Sequence, residues 1–101
     1  MIPNFLEVLS AEIRARIDSS ELPEENSRLL FRIYAALAIA KGTRVTQQDV
    51  HAAWVAWMTG IDPEHPALIP FGELSLEDRQ MDEPYAAAIR EVARLHGLGR
   101  D

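Results

Sequence analysis

Apolar residues recur at intervals of three and four along most of the chain, and no stretch alternates apolar and polar positions over strand length. That periodicity predicts an all-α fold, a compact bundle of four main helices plus one short helix. The first stripe, Leu6, Leu9, Ile13 and Ile17, lies on one face of a helix predicted over about Phe5 to Ser19. Glu7, Arg14 and Asp18 then face water, and Asn4 with Glu7 has the spacing of a capping box. In "SSELPEEN", Pro23 and the paired acids Glu24 and Glu25 suit a turn that leads into the next helix.

The second helix, from "SRLL" to its stop at Gly42, is apolar over most of its circumference: Leu29, Leu30, Phe31, Ile33, Tyr34, Leu37 and Ile39 leave only the line Arg28, Arg32, Ala36, Ala40 outward. A helix of that kind is central or covers its remaining face with another subunit. The third helix, Gln47 to Thr59, opens on the capping pair Thr46 and Asp49 and carries Val50, Trp54, Trp57 and Met58 on one side, with His51 on the flank. Gly60 is expected to close it in the left-handed conformation, letting Ile61 fold back over Ala56. Ser75 and Asp78 start a short helix, "LEDRQM". Pro84, fit for a first turn but not for an interior, places a break near Asp82 before a last helix that runs to His96 with the stripe Tyr85, Ile89, Val92, His96.

Between the third and fourth helices lies an apolar connector, residues 63–74, with prolines at 63, 66 and 70. Proline fixes its own φ and biases the preceding residue to extended geometry, so this segment reads as straightened in advance. Leu68, Ile69 and Phe71 need apolar acceptors, and Trp54, Trp57 and Tyr85 are the large ones nearby. The connector is accordingly a strap across these rings, or else the wall of a ligand site.

Composition narrows what such a protein does. Its 101 residues, 48% of them hydrophobic, suffice for the core of a single domain spanning 1–101. Cysteine is absent, which removes disulfides, thiolate metal sites and a thiol nucleophile. The N-terminus "MIPNFLEV" lacks the basic flank and apolar run of a signal peptide, and the longest apolar stretch, Leu29 to Ala40, contains Arg32 and falls short of the roughly 20 residues of a membrane span. A cytoplasmic location without membrane contact is expected. The net charge of −6 opposes binding to nucleic-acid phosphates.

His51, His65 and His96 are the only side chains that titrate near neutrality in the ordinary way, and they stand too far apart in sequence for zinc without cysteine support. No glycine-rich loop follows a strand, so no phosphate-cradling motif is present. Neither a metal nor a cofactor is therefore expected, and no catalytic residue. The expected partner-binding or ligand-binding set is His51, Trp54, Trp57, His65, Phe71, Glu73 and Tyr85, grouped by the third helix, the connector and the start of the last helix.

The residues "VHAAWVAWM" followed by "HPALIPFGELSLEDRQMD" resemble the ryanodine receptor repeat, a small helical module, over Val50 to Asp82. The matching positions are His51, Trp54, His65, Pro66, Leu68, Ile69, Pro70, Phe71, Glu73, Leu74 and Asp82, while the Gly-Trp and Tyr-Gly segment usual before the His-Pro is missing. This resemblance implies a pocket for a nucleotide-like small molecule. The leucine-rich second helix and the "HAAWVAWM" to "AIR" stretch, residues 27–93, are similar to small uncharacterised proteins of actinobacterial phages and their hosts. That likeness implies a compact helical phage or prophage protein and brings no established activity with it. Since no nucleophile–base pair, metal set or phosphate loop can be assembled from the sequence, a non-enzymatic binding protein is expected, its partner a host protein or a second copy of itself, as monomer or homodimer.

Overall fold

The computed structural model describes residues 4–18 and 27–99, and the turn expected around Pro23, Glu24 and Glu25 lies outside them. Five α-helices follow in order: α1 Phe5–Ala15, α2 Arg28–Lys41, α3 Gln47–Thr59, the short α4 Leu76–Gln80, and α5 Glu83–His96. Among the described residues there is no strand, and the fold is the all-α bundle of four main helices and a short one. No helix among them is long and apolar enough to cross a membrane.

α2 is the hub, touching α1, α3 and α5. Its buried stripe is Leu30, Phe31, Tyr34, Ala35 and Ala38. The expected all-round burial does not hold: Leu29 and Ile39 are 55% and 43% exposed, and Leu37 is only half-buried. Three neighbours still leave an outer strip of the helix uncovered, and in α2 that strip takes in these apolar residues beside the expected Arg28, Ala36 and Ala40. α1 lays Leu9 and Ile13 against α2, with Ile17 buried just beyond its end, and α5 completes the layer with Ala86, Ile89, Val92 and Ala93. α1 stops at Ala15, short of Ser19, because the backbone of Arg16 and Ile17 turns back onto the carbonyls of Ile13 and Arg14.

Most of the expected punctuation forms. The N–H of Glu7 donates to Asn4 Oδ1 at 2.9 Å, but the Glu7 carboxylate leaves the cap to pair with Arg32 of α2 at 2.5 Å. Thr46 and Asp49 make both bonds of the capping box, and Gly97 closes α5 at φ 65°, ψ 30°. Gly42 ends α2 at φ 61°, ψ −129°, a region open to glycine alone, and a Cβ there would stand 2.3 Å from the carbonyl oxygen of Leu98. Close packing of Gly42 on Leu98 and Gly99 thus ties the end of α2 to the turn after α5.

α3 is set against α5 by Gln47, whose amide donates to Glu83 Oε2 at 2.7 Å, while Arg90 donates to Val45 O at 2.9 Å and pairs with the same Glu83. Gly60 is not left-handed: it stays near αR at φ −78°, ψ −14°. The N–H groups of Ile61 and Asp62 both donate to Met58 O, so the chain keeps turning and leaves Ile61 56% exposed, not folded back over Ala56.

Candidate functional site

The connector does not run straight. Proline restrains φ but leaves the residues between free to turn, and two turns follow each other, His65 N–H to Asp62 O and Leu68 N–H to His65 O, each at 3.1 Å. An extended Pro70 then leads into a 3₁₀ turn over Phe71–Glu73. Leu74 is buried and anchors the far end. The folded-up segment leaves a cleft of about 1100 Å³ between itself, α3, α4 and the start of α5.

His51 holds the connector to α3. Its ring is buried on α3, and Nε2–H donates to Ile69 O at 2.7 Å, which commits that nitrogen to the connector backbone. The imidazole stacks near Trp54 at 5.8 Å between centroids and meets Phe71 at 6.1 Å. His65 packs edge-on to Trp54 at 5.0 Å, and its Nδ1 accepts from the N–H of Ala67 at 3.0 Å. Both histidines of the expected site are therefore joined to the backbone of the connector they shape.

Six of the seven expected site residues line one cleft: His51, Trp54, Trp57, His65, Glu73 and Tyr85. Phe71 stands behind, between His51 and the guanidinium of Arg79, which lies 5.6 Å from its ring centroid. Arg79 also donates to Gly72 O at 2.6 Å, fastening α4 to the 3₁₀ turn. His96 is remote from all of this, paired with Glu12 of α1 at 2.5 Å. The connector is thus strap and wall at once: Leu74 and Phe71 fasten it, while His65, Pro66, Ala67, Ile69 and Glu73 face the cleft.

Sequence reasoning placed Tyr85 at the site but not its neighbours on that wall. Asp78, Met81 and Asp82 line the cleft too, and each stands three or four residues from another of the group or from Tyr85, which marks one helical stripe that continues through the α4–α5 junction. That spacing was the available signal. Asp82 occupies the N-cap position of α5 but makes no side-chain cap hydrogen bond. Burial pushes its carboxyl up to about 6, with Asp78 acting in the same direction and His51 in the opposite one. Tyr34, deeper in the cleft, is held well above the usual phenol range by burial and by the proximity of Tyr85 and Asp82, so its hydroxyl is neutral at physiological pH. Among the described residues no group of three His, Asp or Glu side chains is placed to hold a metal ion.

Fold and cleft together define a small all-α module with an aromatic, acid-bearing groove. The chain belongs to a family described as a domain of unknown function, DUF7701, whose sequence model matches residues 4–94. Comparison with curated proteins found no match, and comparison with solved structures found none either.

Proposed function

We propose that this protein is a non-enzymatic binding module that captures a segment of a protein partner in the cleft between α3, the connector and the α4–α5 junction. The observation that carries this reading is the apolar border of the groove: Ile61, Ile69 and Met81 line it and are 56%, 37% and 66% exposed, an arrangement that a partner's side chains would cover. Preshaping by three prolines and by the His51 bond keeps the ordering cost of binding low.

Catalysis has less support. Ser75 is the one aliphatic hydroxyl among the cleft-lining residues, and its Oγ accepts from Asp78 N–H as the cap of α4, while His51 and His65 are bonded to backbone. No nucleophile beside a free base can be assembled from these groups. A nucleotide-like ligand, as the ryanodine-repeat resemblance implies, fits the aromatic walls but not the charge, since no Lys or Arg lines the cleft to meet a phosphate. The likeness to phage proteins makes a host protein the natural source of the captured segment.

The test uses charge placed on apolar surface. Once a partner is in hand, Ile61→Glu and Met81→Glu are expected to abolish its binding with the melting temperature unchanged. Leu95→Glu, at an equally exposed position of α5 outside the cleft, is expected to leave it intact. Loss with Leu95→Glu and retention with the two cleft variants would move the interface elsewhere.

A further inference from the structure

Every formally charged side chain lining the cleft is an acid. Glu73, Asp78 and Asp82 line it, and among the described residues no Lys or Arg does. The basic side chains are engaged on other surfaces: Arg28 and Arg32 with Glu7, Lys41 with Asp49, Arg90 with Glu83, Arg94 with Glu91. Even Arg79, one residue from Asp78, is turned to Phe71 and Gly72. Asp82 is left half-buried, with no Lys or Arg in a salt bridge to it among the described residues and only the neighbouring His51 opposing the effect of its burial. A desolvated carboxylate of that kind is costly when alone and regains free energy when a cation comes to it.

The remaining walls suit the same visitor. Trp54 and Tyr85 bring half-buried aromatic rings to the cleft beside the acids, and aromatic faces attract cations. The carboxylates are not gathered at metal-ligand distances, which favours an organic cation. A free amine would leave Ile61, Ile69 and Met81 in water, and it would fill little of a cleft of about 1100 Å³. A polypeptide carrying apolar neighbours covers both.

Resting on the binding reading above, we infer that the captured segment inserts a lysine or arginine side chain between Trp54, Tyr85, Asp78 and Asp82, and lays flanking apolar side chains on Ile61 and Met81. Charge complementarity thus selects the partner, and the net charge of −6 draws basic segments toward the module.

The experiment selects random dodecapeptides, displayed on their encoding mRNA, against the immobilised intact protein. Peptides sharing a Lys or Arg beside apolar residues are expected, and they should shift the indole N–H signals of Trp54 and Trp57. Replacing the basic residue by norleucine or citrulline should weaken binding roughly tenfold or more. Asp82→Asn should weaken the basic peptide similarly yet leave the neutral one unchanged, the coupling expected of a direct contact. Protonation of Asp82 gives a pH handle: the basic peptide should bind less tightly at pH 5 than at pH 7. His51 on α3, His65 and Glu73 on the connector, Tyr34 on α2, Asp78 on α4 and Tyr85 on α5 face the same space, and positive charge on either histidine would act in the same direction. The diagnostic is therefore the part of the pH effect that Asp82→Asn removes. Enriched peptides without a basic residue that still move the indole signals would overturn the inference and leave the cleft reading standing. Peptides that leave both signals unmoved, or a library that yields no binder, would overturn both. n-Butylammonium bound as tightly as the peptides would overturn the polypeptide part.

Discussion

The two halves of this bundle are packed on different rules. Where α1, α2 and α5 meet, Leu9, Ile13, Ile89 and Val92 are fully buried, and the buried alanines Ala35, Ala38, Ala86 and Ala93 let the helices approach closely. On the side of α3, the connector and α4, the residues are large and flat, α4 buries none of its side chains, and Ile61, Leu76 and Met81 are all more than half exposed. Small residues permit close-packed interfaces, whereas rings held apart by a turning connector leave a groove. The close-packed seam thus lies where α1, α2 and α5 meet, and the open groove lies where α3, the connector and α4 do.

The largest effect should come from breaking the packed side. Ile89→Ala, at a fully buried position, is expected to cost about 2–5 kcal/mol in denaturant unfolding. Trp54→Ala removes far more atoms, yet its half-buried ring on the cleft should cost only about 1–2 kcal/mol. A greater loss at Trp54 than at Ile89 would mean that the cleft side holds the fold together. Intermediate between them is Phe71→Ala, about 1–3 kcal/mol, because the ring is half-buried but braces both His51 and Arg79.

A change that strengthens the protein sharpens the comparison from the other direction. Asp82 is raised from 3.8 to about 6 by burial, which at about 1.4 kcal/mol per pH unit would amount to ~3 kcal/mol for a fully shielded group. The side chain is only half-buried and solvent screens it, so about 1–2 kcal/mol is the expected cost of its charge at pH 7. Folded Asp82 holds its proton more tightly than the unfolded chain does. Through this group, stability is therefore lowest above pH 6 and rises as pH falls toward 4. Asp82→Asn should accordingly raise stability by about 1–2 kcal/mol at pH 7 and by progressively less toward pH 4, read from urea midpoints. Equal stability of the two proteins at pH 7 would mean that the carboxylate is already well solvated.

How far the sequence reached follows the same division. On the packed side, local signals sufficed: Asn4 as the cap of α1, Gly97 as a left-handed stop, and the three-and-four stripe Leu6, Leu9, Ile13, Ile17 are all decided by spacing along one helix. The site residues on α3 and the connector were legible as well, because large rings beside prolines are conspicuous. What escaped depends on tertiary context. Asp82 reads as a break between helices until the cleft half-buries it, Gly60 reads as left-handed until the N–H groups of Ile61 and Asp62 claim Met58 O, and Leu29 and Ile39 read as core until α2 proves to have neighbours on only part of its circumference.

The smallest effect tests whether the connector is rigid by its own chemistry or by its attachments. Pro70 sits at φ −55°, ψ 144°, a conformation that alanine adopts without strain. Pro70→Ala therefore acts mainly by giving the unfolded chain more freedom, and should cost about 0.4–1 kcal/mol. The bond from His51 to Ile69 O, one residue upstream, remains in that variant and holds the wall in place. Peptide affinity should then fall by less than the stability does, since the folded groove keeps its shape. If Pro70→Ala cost more than Phe71→Ala, the pyrrolidine ring itself would be a packing element of the groove, and the anchoring assigned to Phe71 and Leu74 would belong to Pro70.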